Sequence, residues 1–309
     1  MTPAFLLAHL SVLLAAPILL VGVVNRTKAV WAGRRGVPLL QAAYDLRRLM
    51  GKRTVYSSVS TLFVPAAPAV ALATALVSGL LVPLVGPRAP LSFPFDFVLF
   101  AYVWGLGRMA LMLGALDTGS SFEGMGASRE ATYSALIEPA LFVAAGTLAA
   151  AAGRGDFAGL LRFRPEDAST ALVWGGCAVA LFVNLQVESA RIPVDDPATH
   201  LELTMIHEVM VLDHGGPDLA AIQYAAAVKM TVGAALLAAL LDPVGPSAAP
   251  LAAAAARLAL ILAVGVAVGT VESLIARLKL RAVPEYAFLA LVAAFVALLA
   301  STVRPGGLE

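Results

Sequence analysis

Long apolar runs separated by short polar breaks dominate this chain. Windows of about 20 apolar residues, the length that crosses a hydrocarbon core about 30 Å thick, predict eight helical spans. They lie near 4–24, 62–85, 96–116, 133–153, 169–187, 219–241, 250–275 and 285–303. The breaks hold Pro, Gly and charge, as at Gly86-Pro87 and Asp242-Pro243. The second span carries Pro65, Pro68 and Pro83, which a membrane helix tolerates because its neighbours satisfy the freed backbone groups. No basic segment precedes the run from Phe5 to Val24; the basic cluster follows it, so a retained first span is expected rather than a cleaved leader. The predicted fold class is all-α: one polytopic membrane domain over residues 1–309, with an acidic segment at 188–218.

Composition strengthens this reading. Hydrophobic residues make up 60% of the chain, charged residues 13%, and the mean hydropathy is +0.87, against about 45–50% and about 25% in a soluble domain. The net charge of +1 says nothing about nucleic acid, but there is no extended basic arm to bind it, so no nucleic-acid partner is expected. Cys177 is the one cysteine, so no disulfide can form within the chain and no iron–sulfur cluster can be held by its cysteines alone. Any electron transfer would belong to partners, and Cys177 itself reads as a small apolar core residue. Thirteen Lys and Arg lie in the odd-numbered connections and four in the even ones, Arg88, Arg154, Arg162 and Arg164. The positive-inside rule then puts the odd connections in the cytoplasm and both termini outside it; the inner (plasma) membrane is the expected location.

Some residues need a reason to be in lipid. Arg108 and Lys229 fall mid-span, Glu138 lies in the fourth span just before Pro139, and Glu272 is near the end of the seventh. A charge at the bilayer centre costs at least about 2.5–3.5 kcal/mol, so these side chains should face protein or water. A buried Glu138 whose proton affinity rises toward neutrality would be a usable proton carrier. Glu272 has static pairing as an equal alternative.

The titratable groups are concentrated between Asn184 and Asp218. Glu188, Asp195, Asp196, Glu202, Glu208, Asp213 and Asp218 are seven of the chain's 20 acids, and His200, His207 and His214 are three of its 4 histidines. Such a concentration in an oily protein suggests proton handling or a docking surface. Pro193 and Pro197 break any helix begun at Glu188, and a new helix is expected from about Ala198 to Leu212. The seven-residue histidine spacing would set the rings about 10 Å apart on that helix, too far to share one ion. The sequence IHEVM lacks the second histidine of a zinc-protease motif. No metal site is therefore expected. GLGRMALMLG reads as a close-packing surface. GSSFEGMGASRE, with no Lys and no strand before it, is not a phosphate cradle.

The 184–214 segment, together with GRRGVPLLQAAYDL, LDTGSSFEGMGASREATYSALIEPALF and ESLIARLKLRAVPEY, resembles the membrane subunit of formate hydrogenlyase-type, energy-converting nickel–iron hydrogenases. That subunit is related to the quinone-chamber membrane subunit of respiratory complex I. The resemblance runs over nearly the whole chain. The complex I run Glu-Thr-x-Arg-x-Pro-Phe-Asp is matched by Glu188, Ser189, Arg191, Pro193, Val194 and Asp195; its arginine and later glutamate by Arg129 and Glu138; its Glu-Leu pair by Glu202 and Leu203. Ala198 and His200 stand where complex I subunits carry further glutamates, Glu208 falls closer to Glu202, and GRRGVPLL replaces the Gly-Pro-Asn-Arg element. These departures are those of the hydrogenlyase branch.

The resemblance implies a subunit with no redox centre of its own that anchors a cytoplasmic hydrogenase module. The nickel–iron site and iron–sulfur clusters would sit in hydrogenase large and small subunits and iron–sulfur subunits. Antiporter-like membrane subunits and the lipid bilayer would complete the surroundings. Protons would move through Glu188, Asp195, Glu202, Glu208, His200 and His207 to Glu138 and on near Lys229, with Arg108 and Glu272 beside the path. Arg129 and Arg191 would tune the carboxylates. The basic first connection, with Arg34, Arg35, Arg47 and Arg48, would seat soluble subunits, or else anionic headgroups. The alternative is a quinone-chamber subunit of a complex I-like NADH/quinone oxidoreductase.

Overall fold

A computed structural model of the chain describes residues 3–195, 205–243 and 250–303. The described residues form helices and contain no strand. In chain order they are α1 (Pro3–Trp31), α2 (Gln41–Met50), α3 (Phe63–Leu81), α4 (Asp96–Asp117), α5 (Ser121–Ala152), α6 (Phe157–Leu160), α7 (Ala168–Glu188), α8 (Gly216–Leu241), α9 (Pro250–Leu274) and α10 (Val283–Thr302). Eight of them, all but α2 and α6, are long and apolar enough to cross a membrane. The chain is a polytopic, all-helical membrane protein.

Eight spans are found as expected, with two corrections: the first was expected to end near 24, but α1 runs on to Trp31 and takes in Lys28. The fourth was expected from 133, but α5 starts at Ser121. Residues 121–132 are too polar to read as a span, yet they continue the helix because Glu123 and Glu130 turn inward and are buried. Glu138 accordingly sits deep within α5 rather than near its start. Pro83 lies beyond the end of α3, while Pro68 lies inside it.

α8 is the centre of the bundle. Of its apolar window 78% is buried, against 28–44% in the other spans, and it packs on α3, α9, α1 and α7. The remaining spans keep an apolar outer face, as helices solvated by lipid do. Small residues set the closest approach. A Cβ added to Gly107 of α4 would lie 2.4 Å from Thr74 Oγ1 of α3, and one on Gly114 would lie 3.0 Å from Ala67 Cβ. GLGRMALMLG is thus a packing surface. Cys177 is buried in the core.

The helix expected from Ala198 to Leu212 is corrected over its described part. Met205 to His207 is irregular and Glu208–Val211 is one 3-10 turn. Asp195 Oδ2 accepts the backbone N–H of both Ile206 and His207, each at 3.0 Å, which ties down donors an α-helix would otherwise use. The turn then presses on Gly126 of α5, where a Cβ would stand 2.4 Å from Val209. No bulkier residue fits there. Asp196, Ala198, His200, Glu202 and Leu203 lie outside the described residues.

Candidate functional site

The site is assembled from four spans and the loops beside them. α4 supplies Arg108, α5 supplies Glu130 and Glu138, α7 ends on Glu188, and α8 supplies Lys229. α7 stops because Ala190 takes a left-handed conformation (φ 51°) and the Arg191 N–H returns to Gln186 O at 3.1 Å, a Schellman closure. The turn carries Asp195 back beneath α5, and the 205–207 loop brings His207 to the same place.

Arg108 is the hub. Its guanidinium, 5% exposed, donates to Glu188 and to Glu138 through its two terminal nitrogens, and Nε stands 4.0 Å from Glu130. Only a planar fork of donors engages several carboxylates in this way. Glu188 also accepts from Lys229 at 2.8 Å, and Lys229 lies 5.3 Å from the centre of the Trp104 ring. On the other side Glu130 Oε2 is 3.1 Å from His207 Nε2. His207 Nδ1 is 3.9 Å from Asp195, which pairs with Arg277 at 3.0 Å. One unbroken series of charged groups therefore runs Arg277, Asp195, His207, Glu130, Arg108, Glu188, Lys229, with Glu138 as a branch.

The charge count is informative. Asp195, Glu130, Glu138 and Glu188 oppose Arg277, Arg108 and Lys229, so the series is neutral when His207 carries a proton. Burial pulls the His207 proton affinity down, but Glu130, its hydrogen bond and Asp195 outweigh burial and the repulsion of Lys229, so His207 is held above the ordinary 6.5. His214 behaves oppositely. Burial holds it below 6.5, with Asp218 and Asp213 giving only partial compensation.

A second, shorter group lies alongside. Glu272, fully enclosed, pairs with Lys28 of α1 at 2.8 Å and stands 3.6 Å from Arg191. Both groups border a cavity of about 570 Å³ whose wall includes Lys28, Arg108, Glu130, Glu188, Arg191, His207, Glu208 and Lys229 on its polar side, and Ile18, Trp104 and Leu111 on its apolar side. Glu138 differs from its neighbours, with 42% of its side chain exposed on the α4–α5 face. Arg129 donates to the Met205 carbonyl at 2.7 Å and so holds the loop that carries His207.

The fold is shared with known proteins. Residues 4–303 match the NADH dehydrogenase family. The chain belongs to that family. Hydrogenase-4 component C of Escherichia coli (strain K12) is 30% identical over 245 residues, 78% of this chain and 76% of that protein. Formate hydrogenlyase subunit 4 of the same organism is 29% identical over 237 residues, 76% of each chain. In three dimensions the chain superposes on a chain of the membrane-bound sulfane sulfur reductase, an archaeal respiratory membrane complex, with a TM-score of 0.78. That match covers 96% of this chain and 99% of the other at 19% identity. The family resemblance read from the sequence motifs therefore stands.

Of the residues singled out from the sequence, Glu138, Glu188, Asp195, His207, Lys229 and Arg108 meet in the main series, and Glu272 and Arg191 in the shorter one. Glu208 borders the cavity. Arg34, Arg35, Arg47 and Arg48 are exposed on and before the amphipathic α2, away from the series. Sequence reading passed over Glu130, Arg277 and Lys28. Glu130 precedes the apolar window of its span, so hydropathy alone places it in a connection. Its seven-residue spacing from Glu123 and from Ile137, one helix face, was the available signal. Arg277 and Lys28 were counted only as orientation charges.

Proposed function

We propose that this chain is a membrane-anchoring, ion-coupling subunit of a multisubunit hydrogenase of the formate hydrogenlyase kind. It would take protons from a cytoplasmic redox module into the membrane arm. The observation that carries the reading is the unbroken series of ionisable groups, buried among spans where isolated charges are costly. The names of the two E. coli relatives supply the kind of complex. Protons would enter among Asp195, His207 and Glu208, pass Glu130 and the Glu188–Arg108–Lys229 cluster, and leave at Glu138, the carboxylate with lateral exposure. A redox event in the partner would act by displacing charge near this cluster, since each carboxylate holds its proton according to its neighbours' charge. The exposed Arg34, Arg35, Arg47 and Arg48 would seat soluble subunits that hold the nickel–iron site and iron–sulfur clusters. Antiporter-like membrane subunits would adjoin the Glu138 face. The odd connections would face the cytoplasm, with both termini outside.

The test is carried out on the intact complex in proteoliposomes, with Glu130→Gln and Glu138→Gln. Hydrogen turnover and internal pH are followed together. The reading expects turnover to stop or to continue without ion movement. Unchanged coupled activity in both variants would reduce the chain to a passive anchor. The apolar half of the cavity, with Ile18, Trp104 and Leu111 facing polar groups, favours a second reading, a chamber for an amphipathic quinone. Reduction of quinone analogues without hydrogen formation would select it.

A further inference from the structure

A second concentration of charge sits at the opposite end of the bundle. The connections 82–95 and 153–167 carry four basic residues, Arg88, Arg154, Arg162 and Arg164, and all four border one cavity of about 610 Å³. Its acids are Asp156 and Glu166, leaving an excess of positive charge. Asp156 is already engaged, accepting the Gly159 N–H at 3.1 Å as the cap of α6. Arg164 builds the wall, donating to the carbonyls of Phe163 at 2.8 Å and Leu240 at 3.0 Å. Arg162 donates to Pro87 O at 2.8 Å, which fixes its guanidinium across the cavity. Arg88 and Arg154 are exposed and make no side-chain hydrogen bond or ion pair among the described residues.

An apolar strip adjoins these arginines. Leu91, Phe93 and Phe95 are exposed by 44%, 42% and 61%. Phe95 is tied to the residue next to Arg154 through its N–H to Gly155 O at 2.9 Å. Guanidinium forks beside exposed aromatic and aliphatic side chains, at the rim of an apolar bundle, match one kind of ligand. Its charged part is a phosphate and its remainder is hydrocarbon.

We propose that this cavity seats the headgroup of an anionic phospholipid, its phosphodiester held by Arg88, Arg154 and Arg162, with acyl chains passing Leu91, Phe93 and Phe95. A cluster of arginines at the membrane edge attracts an anionic headgroup within a Debye length, and the planar fork engages phosphate oxygens in pairs. The apolar strip favours a lipid over free phosphate, which has no use for it. The site lies outside the proton series, so it stands or falls separately from the coupling role.

The purified full-length chain, in phosphatidylcholine nanodiscs doped with phosphatidylglycerol, is released into native mass spectrometry and its retained lipid counted. The chain should keep phosphatidylglycerol preferentially. Arg88→Gln and Arg154→Gln should each weaken that preference by about fivefold, and both together should bring the two lipids near parity. Arg88→Lys with Arg154→Lys keeps the charge and should retain part of the preference, which separates headgroup contact from damage to the fold. An undiminished preference in the double glutamine variant overturns the proposal. So does release of the lipid by millimolar inorganic phosphate, which would make the pocket a site for the free anion.

Discussion

Replacing Arg108 by Gln tests the central arrangement most directly. Arg108 and Glu188 are 5% and 4% exposed, and removing one partner of a buried pair costs about 3–5 kcal/mol because a charge is left uncompensated. Two contacts soften the loss here. Glu188 keeps Lys229 at 2.8 Å and Glu130 keeps His207 at 3.1 Å, so the expected cost lies toward the low end, about 3 kcal/mol. Glu138→Gln makes the contrast. Its side chain is 42% exposed on the outer face of a span, where a charge is itself costly beside lipid, so the neutral amide offsets part of the lost pairing and the cost should stay below about 1 kcal/mol. Arg108→Lys keeps the charge but cannot span the carboxylates as a fork does, and it should fall between the two. Reversible unfolding of the purified chain in mixed detergent micelles measures all three. A double-mutant cycle of Arg108→Gln with Glu188→Gln should give a coupling of about 1–3 kcal/mol. Equal costs for Arg108→Gln and Glu138→Gln, with no coupling in the cycle, would refute the reasoning. The cluster would then be hydrated, and its charges independent.

Two further expectations concern pH and packing. His207 is held above its unfolded value of 6.5, so its contribution to stability is complete below 6.5 and is lost as pH rises through the raised folded value. Thermal midpoints of the wild type should therefore decline over that window relative to His207→Gln, and parallel profiles would contradict the Glu130 and Asp195 contacts. Gly107→Ala would place a methyl 2.4 Å from Thr74 Oγ1. It should destabilise the chain by about 1–3 kcal/mol in the same micelle assay, and Thr74→Ala should restore part of the loss.

Much of this protein is legible in one dimension. The eight spans follow from apolar run length, because a bilayer permits few ways of hiding a backbone and helices are the simplest. The odd charges at Arg108, Glu138 and Lys229 also announced themselves, since each breaks an otherwise apolar window. What the sequence could not say is which charge meets which. Glu130 looked like a connection residue because local hydropathy governs where a span appears to begin. The helix actually starts at Ser121, since buried partners compensate its polar first turns. The described part of the helix expected over 198–212 is not α-helical, because Asp195 claims the Ile206 and His207 N–H groups and Gly126 receives the turn that follows. The gathering of four arginines from two separate connections around one cavity was equally invisible, as they stand up to 76 positions apart. Local composition determined the helices and their burial in lipid, because the solvent acts on each segment alone. Pairing was decided by the tertiary structure, because Coulomb energy and hydrogen bonding depend on distances that only packed helices define.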